Sequence, residues 1–140
     1  MKQKYFLLIG LLLIVLAGCQ GQGATMVLLD EEISFISISE SNGYGDINED
    51  ILYQFNQQDQ VLFFKHVITT ASQQDSNVEL SHPDFDIMVN YGEDFPVHAI
   101  HLWLGEEDES STLMYMVDDD KTTYITTPKD TNELRNLFQK

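Results

Sequence analysis

Asp84-Phe85-Asp86-Ile87-Met88-Val89-Asn90-Tyr91 is the stretch that decides the fold. Its odd positions are all apolar, while the even positions Asp84, Asp86 and Asn90 are polar and Met88 is the exception. A period of two belongs to an extended chain whose successive side chains point to opposite faces, so these residues predict a strand with one face against a core. Residues 97–104, 112–117 and 122–126 follow as further strand segments, separated by residues 105–109 and by Asp118-Asp119-Asp120. Strands joined by such connections predict an antiparallel meander, and acids in the turns discourage edge-to-edge pairing.

Upstream, residues 33–39 are β-branched and aromatic enough for a strand, and residues 51–55 form a second short one. Between them, Ser41-Asn42-Gly43-Tyr44-Gly45-Asp46 supplies residues that tolerate the positive φ of tight turns. From Asp59, read as an N-cap, to about Gln73 the period becomes helical. Val61, Phe64, Ile68 and Ala71 define an apolar stripe, widened by Phe63 and Val67. Thr127-Pro128 with Asp130 starts a last helix, whose Leu134, Leu137 and Phe138 point inward and whose Arg135 and Lys140 suit its C-terminal dipole. The expected class is α+β, an antiparallel sheet of about five strands with two packed helices.

The first residues carry an address. Lys2 and Lys4 precede an apolar run, residues 5–15, that is short of the ~20 residues a spanning helix needs, and Leu16-Ala17-Gly18-Cys19 follows it directly. This arrangement resembles the lipobox of bacterial lipoproteins. The resemblance implies cleavage after Gly18 and a diacylglyceryl group on Cys19, the single cysteine of the 140-residue chain. The alternatives are an ordinary secretory signal or an uncleaved anchor. The expected organisation is a signal peptide at 1–18, a lipidated cysteine and tether at 19–32, and one domain at 33–140. Residues 26–29 are apolar and Asp30-Glu31-Glu32 are not, so this stretch suits either the tether or packing on the domain.

Charge narrows the partners. Seven basic residues, of which Lys2 and Lys4 lie in the leader, face 23 carboxylates, for a net charge of −16. Nucleic acid is excluded, because its affinity comes mostly from Lys and Arg neutralising phosphates. An anionic bilayer also repels such a domain, so lipid on Cys19 has to hold it there. With one cysteine, no disulfide stabilises the mature chain, and packing must suffice.

Residues 39–50 (Ser-Glu-Ser-Asn-Gly-Tyr-Gly-Asp-Ile-Asn-Glu-Asp), His101-Leu102-Trp103-Leu104-Gly105, Ser111-Thr112-Leu113-Met114 and Tyr124-Ile125-Thr126 together resemble the small YhfM-like lipoproteins of Bacillus-type bacteria. The resemblance spans roughly residues 33–138. It implies this topology and a Gram-positive envelope location, and brings no assigned activity.

Candidate chemistry is sparse. Asp46-Ile47-Asn48-Glu49-Asp50 opens like an EF-hand loop, but Ile51 stands where the turn requires glycine and Gln57 where a bidentate Glu should close the site. Residues 106–109 and 118–120 offer weak divalent binding at most. His98 and His101 have odd separation on a strand, hence opposite faces, and with Cys19 acylated no thiolate remains for a nucleophilic or zinc site. No Gly-x-Ser-x-Gly elbow or phosphate loop is present. If Ile100, Leu102 and Leu104 face the core, His101 and Trp103 face away, with Met114 and Met116 beside them, and such a patch suits a protein or apolar ligand. The opposing expectation is that a helix or the N-terminal segment covers that face and makes Trp103 ordinary core. The expected function is a non-catalytic envelope binding module for a protein or wall component, without cofactor or metal. The rivals are a small hydrolase-like enzyme and weak divalent-cation capture.

Overall fold

In the computed structural model, which describes residues 23–75, 79–117 and 121–139, the alternating stretch is strand β4 of a seven-stranded antiparallel sheet. In chain order the described elements are β1 (Phe35–Glu40), β2 (Ile51–Phe55), α1 (Gln58–Thr70), β3 (Ser72–Gln74), β4 (Phe85–Asn90), β5 (His98–Trp103), β6 (Thr112–Tyr115), β7 (Thr123–Ile125) and α2 (Pro128–Phe138). The sheet order is β2-β1-β4-β5-β6-β7-β3, so the meander forms the centre and the β1–β2 hairpin one side.

The class is α+β with two helices as expected, but the strands number seven rather than about five. The clearest difference is β3. Ser72-Gln73-Gln74 continues the polar side of the helical pattern, yet the chain turns extended at Ala71, whose N–H bonds back to the carbonyls of Val67 and Ile68. Ser72–Gln74 then pairs with Ile125–Thr123. Pairing against a distant strand outweighs a weak local preference, so α1 ends at Thr70 and not near Gln73. Asp59 is likewise not the N-cap. Gln57 holds that position without a side-chain cap, and Asp59 sits in the first turn, where a carboxylate suits the dipole.

One face of the sheet is aliphatic. Ile87 lies opposite Ile38 on β1 and Ile100 on β5, and Leu102 lies opposite Phe85 and Leu113. Phe64, Val67 and Ile68 of α1 are fully buried in the same core, with the Phe64 ring 5.1 Å from that of Phe55. The start of α2 is fixed as the sequence predicts, Thr127 Oγ1 accepting from the Asp130 N–H. Leu134 is buried, and the Phe138 ring packs between Tyr53 and Phe85 at 5.5 and 5.1 Å.

Residues 24–33 pack on this face, which answers the question left open by their composition. The Ala24 carbonyl accepts from Gln73 N at 2.7 Å, Thr25 bridges Ser72, and Met26 and Leu28 join the core. Tyr115 Oη binds both the N–H and the carbonyl of Val27, while Leu29 N donates to Tyr91 Oη. Tyr91 in turn is 2.8 Å from His98 Nδ1. Burial holds the His98 imidazole below its ordinary value, because the charged ring loses hydration.

Two outcomes follow. Phe64→Ala should cost about 3–5 kcal/mol in urea melts, the usual range for an emptied aromatic site, and a loss below about 1 kcal/mol contradicts this packing of α1. His98 should make stability fall as the pH drops below about 6.5, where the unfolded imidazole takes up a proton before the folded one does. Urea midpoints from pH 7.5 to 5.0 should therefore slope less steeply in His98→Gln, and identical slopes would remove His98 from the acid sensitivity.

Candidate functional site

The other face of the sheet is polar at its centre and still buried. Register sets Ser39, Asp86, His101 and Met114 in one row across β1, β4, β5 and β6. Asp86 is 0% exposed and Ser39 and His101 are each 2% exposed. His101 Nδ1 lies 2.8 Å from Asp86 Oδ1, which orients the ring. Ser39 Oγ and Asp86 Oδ2 are buried with no hydrogen-bond partner among the described residues.

The row brings Ser, Asp and His together in an order unsuited to a serine nucleophile. In a triad the base stands between nucleophile and acid, whereas here Ser39 neighbours Asp86 and is two strands, roughly 10 Å, from His101. His98 pairs with Val89 on the aliphatic face, so the two histidines do lie on opposite sides.

The patch at His101 and Trp103 differs from the open surface that strand parity allows. His101 is interior and Trp103 is half-buried, and among the described residues the loop residue Tyr44 and the Ser81 carbonyl lie against them. Tyr44, from the β1–β2 loop, sets its ring 5.5 Å from His101 and 6.2 Å from Trp103, and Trp103 Nε1 donates to the Ser81 carbonyl at 2.9 Å. Gly43 and Gly45 flank Tyr44 with φ of 96° and 97°, a backbone that a side chain there would strain. Met114 stands beside His101 as expected, and the Met116 N–H donates to the Ala99 carbonyl. Tyr44 itself remains 56% exposed, so a Tyr44–Trp103 ledge reaches solvent.

Beyond the Ser81-His82-Pro83 strap lies a cleft of about 450 Å³. Phe85 and Leu104 give it apolar walls, and Glu40, Asp84, Glu106 and Arg135 give it charge. Arg135 Nη1 donates to the Gly105 carbonyl at 3.0 Å and Nη2 is 3.5 Å from Glu106 Oε2. Asp84 Oδ2 accepts from the Leu104 N–H at 2.8 Å. Below the Gly105 turn, Ser111 Oγ accepts from the Gly105 N–H and meets Thr131 Oγ1 at 2.8 Å, which ties the turn to α2. Strand ends and a helix distant in sequence supply this lining, so no local motif announced it. The one legible sign was the acid at each strand end, Glu40 and Asp84.

Asn48 is spent on the hairpin, its Nδ2 donating to the Glu40 carbonyl and its Oδ1 accepting from the Asp50 N–H. Among the described residues no three His, Cys, Asp or Glu side chains gather as metal ligands, and no helix is long and apolar enough to cross a membrane. Cys19 and Asp118-Asp119-Asp120 lie outside the described residues.

The fold has a solved counterpart. A thioesterase-like protein from Clostridium sporogenes superposes with a TM-score of 0.51 at 17% identity, covering 76% of this chain and 94% of its own. At that identity the likeness shows the fold alone. No curated protein matches the sequence. The YhfM protein family matches residues 30–140, which takes in the hairpin, the meander, both helices, the cleft and the buried Asp86–His101 pair, and the chain belongs to that family.

Proposed function

We propose that this protein is a lipoprotein held by diacylated Cys19 on the extracytoplasmic face of the cell membrane, and that its domain is a non-catalytic binding module for a protein or cell-wall component bearing positive charge. The observation that carries the binding reading is the cleft. Its carboxylates Glu40, Asp84 and Glu106 outnumber the Arg135 guanidinium, over walls of Phe85 and Leu104. Cationic groups on a partner gain from those acids and from the net charge of −16, and the exposed Tyr44–Trp103 ledge adjoins the cleft across the strap. The lipid reading rests on the leader and Leu16-Ala17-Gly18-Cys19, where two acyl chains supply the stable anchoring that one does not.

A second reading is acyl-thioester hydrolysis, favoured by the name of the Clostridium protein and by a His101 ring that Asp86 orients as it would a general base. Tyr44 covers that ring, so its edge would have to move for water and substrate to reach it.

The binding test uses a lysine-rich peptide and calorimetry at low and physiological salt. Glu40→Lys should weaken binding at least about tenfold while the melting transition stays in place, since exposed substitutions usually move stability by less than ~0.5 kcal/mol. Unchanged affinity in that variant rules out the cleft. Turnover of a short acyl-CoA that is lost in His101→Gln would favour the second reading.

A further inference from the structure

We infer that the anchored domain stands with its β3 edge toward the bilayer and its β2 edge toward the exterior, so that the β1–β2 hairpin is farthest from the membrane. The inference rests on acylation of Cys19 and adds an orientation to it. The chain is already fixed at Ala24, whose carbonyl holds Gln73 N at 2.7 Å, and at Thr25, which bridges Ser72, and Met26 is 1% exposed. Four residues lie between Cys19 and Ala24, and the five Cα steps give a reach of roughly 18 Å at full extension. β2 lies at the opposite edge of the sheet, six strand spacings or roughly 29 Å away along it.

The tether therefore pins one edge near the lipid and leaves the rest of the sheet to pivot. Charge decides how it pivots. β3 itself is uncharged, Ser72-Gln73-Gln74, as are Ala24 and Thr25 that pair with it. Among the described residues, Asp75 and Lys121 are charged groups close in sequence to that edge. At the other edge Asp46, Glu49 and Asp50 are exposed around Ile47, Ile51 and Leu52. Against an anionic leaflet, with a screening length of ~8 Å, lying flat brings the acids of the whole face into repulsion, whereas standing on the pinned edge removes most of them from range.

The full-length lipidated protein tests this, because with Cys19 acylated an introduced cysteine is the one free thiol. Gln74→Cys and Gln54→Cys, both at exposed positions, are labelled with an environment-sensitive dye in phosphatidylcholine vesicles containing phosphatidylglycerol and headgroup spin-labelled lipid. Quenching at position 74 should exceed that at position 54 several-fold, and a Gly/Ser insertion of about 15 residues between Gln22 and Gly23 should abolish the excess. Equal or reversed quenching in protein whose mass includes the diacylglyceryl group overturns the orientation and leaves the anchor standing. Absence of that mass overturns both.

Discussion

The register that sets Ile87 between Ile38 and Ile100 governs most of what the molecule can do. Because side chains alternate, this one alignment places the aliphatic residues of β1, β4, β5 and β6 under α1 and the N-terminal segment, and it places Asp86 beside His101 on the other side. A slip of either strand by one residue would drive its own polar group into the hydrophobic core. The hydrogen bond between the two groups is thus a lock on the register as well as the main polar contact of the second face. Burying it carries a desolvation cost that favourable geometry has to offset, and a lone member left behind would be strongly unfavourable.

From that alignment the cleft follows. With β1, β4 and β5 in register, Glu40, Phe85 and Leu102 end at one level with Leu104 just beyond, and α2, capped at Thr127, brings Arg135 against the Gly105 turn. The loop over the second face is fixed by different means, two glycines at positive φ and the Ser81 carbonyl shared between Trp103 Nε1 and Tyr44 Oη. One end of the sheet thus combines a charged recess with an aromatic ledge, both built on a rigid frame.

Much of the frame was legible in the sequence because it depends on local periodicity. The period of two at residues 84–91, the helical stripe through Phe64 and the Thr127-Pro128 start each have a local cause, and each has its counterpart in the fold. Ser72–Gln74 was not legible, since only pairing with β7 makes those polar residues a strand. Packing of Met26 and Leu28 was undecidable for a similar reason, as the backbone of their neighbours Val27 and Leu29 bonds tyrosines 88 and 62 residues downstream. Parity separated His98 from His101 correctly. It says nothing about what lies above a face, and so it gave no sign that Tyr44 and Ser81 cover His101 and half of Trp103, or that Asp86 stands in the same row.

A double-mutant cycle on that row tests the register most directly. Asp86→Leu and His101→Leu, made singly and together, are compared by urea unfolding. Each single change should cost about 3 kcal/mol or more by stranding its buried partner, and the double change should cost less than their sum by about 2 kcal/mol or more. Strict additivity would mean that Asp86 and His101 are not partners and that β4 and β5 pair in another register.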